Sequence, residues 1–142
     1  MFIDTRTQFC SQNALTTGAL GTSVLGAVID LKHSGLDIGH GQPLYLVIEM
    51  ASSATSLGAA TVSFSLVSDS TAALATDGSA TVHMTTGALS LSKLASGKTV
   101  AVVAVPSGSY ERYLGLLQTV GTAALTGGAV NAFLTADVPS SL

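Results

Sequence analysis

The chain has 142 residues, only 9% of them Asp, Glu, Lys or Arg, with a formal net charge of −3 and a mean hydropathy of +0.56. Soluble domains carry roughly 25% charged residues, whereas about half of this chain is Ala, Gly, Ser and Thr. The length suits one domain with its own core, and without a basic stripe the chain lacks the footprint of a nucleic-acid binder. A weakly charged surface favours association, so the composition points to a subunit of an assembly.

Met1–Thr16 carries Asp4, Arg6, Gln8, Gln12 and Asn13 among isolated apolar residues. It is expected to be an extended arm (residues 1–16) that gains order on a neighbour, ahead of a single domain over residues 17–142. Charges at Asp4 and Arg6 interrupt the apolar stretch a secretory signal needs, so Sec export is not expected. Cys10, the one cysteine, lies in this arm and excludes an intramolecular disulfide.

Beyond the arm the dominant period is two. Ser23–Leu31 reads as a strand with a kink or bulge at Gly26. Pro43–Met50 places Leu44, Leu46, Ile48 and Met50 on one face. In Thr61–Ser68, Val62, Phe64 and Leu66 alternate with Thr61, Ser63 and Ser65, the pattern of a half-buried strand. Ala80–Met84 is read with Val82 and Met84 inward and Thr81 and His83 outward. Thr99–Val105 is apolar on both faces, which suits a central strand covered on each side or one facing a partner subunit. Tyr113–Val120 aligns Leu114, Leu116 and Val120. Ala129–Val138 sets Val130, Ala132 and Leu134 against Asn131 and Phe133, and the residues after Asp137 read as a loose tail.

Turn residues at Ser34-Gly35, Asp77-Gly78, Gly97, Pro106–Ser109 and Gly127-Gly128 separate these runs. No window keeps a helical stripe. Seven or eight short strands at this spacing indicate an all-β antiparallel sandwich or barrel. The longest apolar runs, Leu44–Ile48 and Val100–Val105, fall far short of the ~20 residues of a spanning helix. A membrane barrel wants two aromatic girdles, and the chain has four Phe, three Tyr and no Trp.

Candidates for chemistry are few. His33, Asp37 and His40 in the loop from Lys32 are residue types that zinc accepts, but their spacing matches no recurrent motif and the loop reads as a solvated turn. Gly39-His40-Gly41 lacks the third glycine of a dinucleotide fingerprint and leads into a strand, not a helix. No serine sits in a nucleophile elbow, and nothing near Cys10 would depress its pKa. No enzyme, metal or cofactor is therefore expected. Glu111-Arg112-Tyr113 is the one dense polar cluster, read either as a surface ion pair or as an interface anchor.

Two stretches carry more than composition. Asp37-Ile38-Gly39-His40-Gly41-Gln42-Pro43-Leu44-Tyr45-Leu46 is one. The other is Arg112-Tyr113-Leu114-Gly115-Leu116, continuing to Thr119-Val120-Gly121-Thr122 and Gly128-Ala129-Val130-Asn131-Ala132. With the Gly58–Phe64 strand between them, they resemble the capsid cement, or decoration, proteins of tailed bacteriophages. The resemblance implies a jelly-roll sandwich, made in the host cytoplasm, that forms a homo-oligomer (dimer or trimer). It further implies binding to the major capsid protein on the exterior of an icosahedral head, where the protein cements neighbouring subunits, with no nucleic acid or membrane as partner. The residues expected to meet the capsid are Asp4, Arg6, Asp37, Glu111, Arg112 and Tyr113. Alternatives are another phage structural protein, such as a head fibre or tail component, and a carbohydrate-binding sandwich module. The latter commonly stacks sugars on exposed aromatics, which are scarce here.

Overall fold

A computed structural model describes residues 7–38 and 43–136. These form nine strands: β1 (Gln8–Ala14), β2 (Gly21–Asp30), β3 (Tyr45–Ser56), β4 (Thr61–Asp69), β5 (Thr81–Thr85), β6 (Leu89–Ser90), β7 (Thr99–Ala104), β8 (Tyr113–Gly121) and β9 (Leu125–Thr135). One sheet has the order β1-β9-β3-β7; the other has the order β2-β8-β4-β5, with β6 also paired to β4. All pairings are antiparallel. With the short β6 set aside, successive strands alternate between two four-stranded sheets except for the paired β4 and β5, which is the jelly-roll order. The expected all-β sandwich is therefore the observed architecture.

The core lies between the sheets and follows the period-two pattern closely. Val62, Phe64 and Leu66 of β4 are fully buried, as are Leu114 and Leu116 of β8 and Ile48 of β3. A second, smaller cluster covers the outer face of the β2-β8-β4-β5 sheet, where Leu74 and Ala80 from the β4–β5 connection pack on Val67 and Leu117. Val47 and Phe133, opposite each other on the outer face of the first sheet, are buried as well.

Four expectations need correction. The arm does not extend to Thr16: Gln8–Ala14 is strand β1, hydrogen-bonded along β9, with Phe9, Cys10 and Leu15 in the core. The isolated apolar residues of this segment are its inward contacts, and bulges with Gln12 at φ 52 blur their alternation. Cys10 is accordingly a core residue. Of the two readings of Thr99–Val105, the central strand is excluded, because Thr99–Ala104 lies at a sheet edge. Finally, Val82 faces solvent at 55% exposure while His83 turns inward, because a bulge in β5 places Met84 opposite Leu66 but Val82 opposite Val67.

Gln118 is the notable polar insertion on the core face of β8. Its side-chain amide donates to Thr16 O and accepts from Thr16 N–H, at 3.1 and 3.0 Å, so a fully buried polar group closes the β1–β2 connection. Both ends of the amide are satisfied, which is the condition under which such a group can sit in a core.

Candidate functional site

The register of the sheets gathers several of the described charges at one end of the sandwich. Asp30 at the end of β2 lies opposite Tyr113 at the start of β8, and Tyr113 lies opposite Asp69 at the end of β4. The β2–β3 and β7–β8 connections meet at the same end through a bridge between Leu36 and Tyr110. Four of the six expected contact residues, Asp37, Glu111, Arg112 and Tyr113, are thereby brought together. Asp4, Arg6 and His40 lie outside the described residues.

Each member is held by a specific partner. The Asp37 carboxylate accepts from the Ser107 hydroxyl at 2.7 Å and the Gly108 N–H at 3.1 Å, tying the two connections together. Arg112 forms a two-pronged pair with Asp30, Nε to Oδ1 at 2.9 Å and the terminal nitrogen to Oδ2 at 3.1 Å. Its guanidinium also lies 5.1 Å from the centre of the Tyr113 ring. Those hydrogen bonds from Arg112, helped by the Lys32 N–H, hold the Asp30 carboxyl far below the usual carboxylate range. The cluster's ion pair is thus with Asp30, across the sheet, rather than within the Glu111-Arg112-Tyr113 run. A sequence signal for this existed only in pairing β2 with β8, since residues 30 and 112 are far apart along the chain.

Behind this exposed layer is a network that sequence reasoning missed. The fully buried Ser68 hydroxyl accepts from the Glu111 N–H at 3.1 Å and lies 2.8 Å from His83 Nε2. The His83 ring stacks on Tyr110, with centroids 3.8 Å apart. The Tyr110 hydroxyl donates to Pro106 O, and burial pushes its pKa up to about 12. Glu111 in turn accepts from the Thr81 hydroxyl at 2.6 Å. With Glu111 N–H donating to Ser68, the hydroxyl still offers its own proton and a second lone pair to His83 Nε2, so either tautomer of the neutral ring completes the contact. Burial lowers the His83 pKa, against an opposing pull from Glu111.

A pH dependence follows. The folded protein binds fewer protons at His83 than the unfolded chain, whose imidazole titrates near pH ~6.5. The contribution is complete above that pH, declines as pH falls towards the depressed folded value, and then levels off. Urea unfolding is expected to show lower stability at pH 5 than at pH 7.5, with much of the difference absent in His83→Gln. An equal pH dependence in both proteins would show that the imidazole is not held neutral.

Chemically the described site offers hydrogen bonds and a guanidinium–aromatic pair. Ser68, next to a histidine, is sealed from solvent. A two-sheet jelly roll with a polar cluster of loops at one end is the class of protein that results. The Bbp16 family model matches residues 9–134, so the chain belongs to the Bbp16 family. No curated protein matches it.

Proposed function

We propose that the protein is a non-enzymatic structural component of a phage virion that binds the outside of an icosahedral head and cements neighbouring major-capsid subunits. The observation that carries the reading is membership of the Bbp16 family, a designation that hints at a phage protein, over nearly the whole jelly roll. The sequence resemblance to cement proteins and the scarcity of charge point the same way. A protein that binds the assembled shell and not its free subunits stabilises the shell by mass action, and multiple copies add avidity.

The end bearing Asp37, Glu111, Arg112 and Tyr113 is the surface we assign to the capsid. Arg and Tyr are enriched among residues that dominate binding, and here both are positioned before any partner arrives. β1 also begins at this end, since Gln8 is level with Phe133 and Val47.

Mixing the protein with undecorated heads tests this directly: it is expected to co-sediment and to raise the temperature at which heads rupture. Arg112→Ala should bind heads about tenfold more weakly or worse and keep its melting temperature, because exposed ion pairs contribute little to folding. Failure of the parent protein to co-sediment overturns the function; undiminished binding by Arg112→Ala overturns the surface.

A further inference from the structure

The two long sides of the sandwich, where edges of opposite sheets face each other, close differently. On one side β1 meets β2: Phe9, Cys10 and Leu25 are buried there, and the Phe9 carbonyl oxygen lies only 2.2 Å from where a Cβ on Gly26 would stand. On the other side β7 faces β5 and β6, which are only five and two residues long. An open groove of about 390 Å³ separates them, lined by Met84, Leu89, Val100 and Val103 among others. Met84, Leu89 and Val100 pack on the core yet stay half-buried. Part of the core's rim is therefore open to solvent, and apolar surface in that state favours an apolar occupant.

The lining decides the chemistry of that occupant. Its described residues carry no charge, and its two hydroxyls are engaged with main-chain groups. Thr86 Oγ1 accepts from the Phe64 N–H and donates to Gly87 O, and Thr85 Oγ1 accepts from the Gly87 N–H. An alkyl chain suits such walls, whereas the hydroxyls of a sugar would lose water and find no partners. One end of the groove is cationic. Lys98 lies two residues before Val100, and its ammonium donates at 3.0 Å to Ser92 O, three residues beyond Leu89. It is thus held where β6 and β7 flank the groove, with further N–H donors to offer. No carboxylate pairs with it among the described residues. Glu49, level with Thr99, stands on the face of β3 opposite Ile48 and Met50, which are in the core.

We propose that this groove binds a single-chain anionic amphiphile, a free fatty acid, with its alkyl chain along Met84, Leu89 and Val100 and its carboxylate on Lys98. The volume falls within the roughly 300–1,000 Å³ of ordinary ligand sites. Charge placement selects the head group. The cation stands at the end of the apolar channel and not in its wall, so tail and head are accommodated together. A neutral apolar ligand would leave Lys98 unused, and a cationic one would be opposed by it. Shape selects a single chain, because the site is a recess, whereas a bilayer surface is met by apolar residues that protrude into it.

The test uses the free protein, so its failure leaves head binding untouched. Titration with decanoate is expected to saturate, with amide chemical-shift changes concentrated on Met84, Leu89 and residues 98–103. Decylammonium, the same chain with the opposite head, should bind about tenfold more weakly. Lys98→Met should weaken decanoate about threefold to tenfold, as a partly solvated ion pair allows, and bring the two ligands closer together. Its melting temperature should not change, because Lys98 is exposed. Absence of saturable decanoate binding overturns the proposal. So do equal affinities for the two heads, shifts centred elsewhere on the sandwich, or decanoate binding that Lys98→Met leaves unchanged. Co-sedimentation with phosphatidylglycerol vesicles in the absence of decanoate binding also overturns it, in favour of a bilayer surface.

Discussion

Phe64→Ala is expected to cost about 3–5 kcal/mol of stability, the range for emptying a buried aromatic site. At this chain length that is a fall in melting temperature of roughly 10–20 °C. The magnitude follows from position. Phe64 is fully buried in β4, which lies between β8 and the β5 and β6 strands, and it belongs to the cluster that joins the two sheets. Its backbone is fixed as well: its N–H donates to the Thr86 hydroxyl and its carbonyl accepts the Thr86 N–H. The strand is held on both sides, so the neighbours have little freedom to collapse into the cavity, and the cost belongs towards the upper part of the range. Phe64→Leu, which retains most of the apolar volume, should cost much less. A melting temperature that Phe64→Ala leaves unchanged would mean that Phe64 does not face the core.

Phe64 was legible in the sequence because Thr61–Ser68 alternates without interruption, and strict alternation has one geometric solution. The same alternation marks β8, and Gly26 inside an apolar run marks the irregularity of β2 between Leu25 and Ile29. The pattern fails where a bulge adds one residue and flips the faces. Alternation puts His83 outward and Val82 inward for this reason, and so conceals the whole Ser68–His83–Tyr110 network. In β1 the bulges near Gln8, Cys10 and Asn13 broke the period enough for a core strand to read as an arm. The double apolar face of Thr99–Ala104 was visible, but periodicity cannot separate a strand buried between neighbours from one left at an edge for a partner. The site was half legible. Glu111-Arg112-Tyr113 and Asp37 stand out in a chain so poor in charge, yet the residues that hold them, Asp30, Ser107 and Ser68, become their partners only through long-range strand pairing. Long-range register is what a single sequence specifies least directly.

The largest effect from the smallest change is expected at Gly26. This residue has φ +75, where an L side chain is strained by roughly 1–2 kcal/mol. Space is the greater obstacle: a Cβ would stand 2.2 Å from the Phe9 carbonyl oxygen and 2.6 Å from Cys10 Sγ. The first obstacle is backbone, so β1 must move off β2, taking Phe9 and Cys10 out of the core. Gly26→Ala should therefore cost about 3 kcal/mol or more, beyond the conformational strain alone. Gly97→Ala is the matched control, because Gly97 has φ +80 and nothing within contact of a Cβ; it should show the strain cost and little else. Cys10 supplies a readout of where the damage falls. Burial pushes its thiol up to about 11, which leaves it inert as well as shielded. Release to an ordinary value near ~8.5 would raise the thiolate fraction at pH 8 roughly two-hundredfold. Gly26→Ala should consequently react with a thiol reagent at a concentration of denaturant where the parent and Gly97→Ala do not. If Gly26→Ala loses stability and Cys10 stays unreactive until global unfolding, β1 and the sandwich open as one unit; if stability is unchanged, β1 does not cross β2 at Gly26.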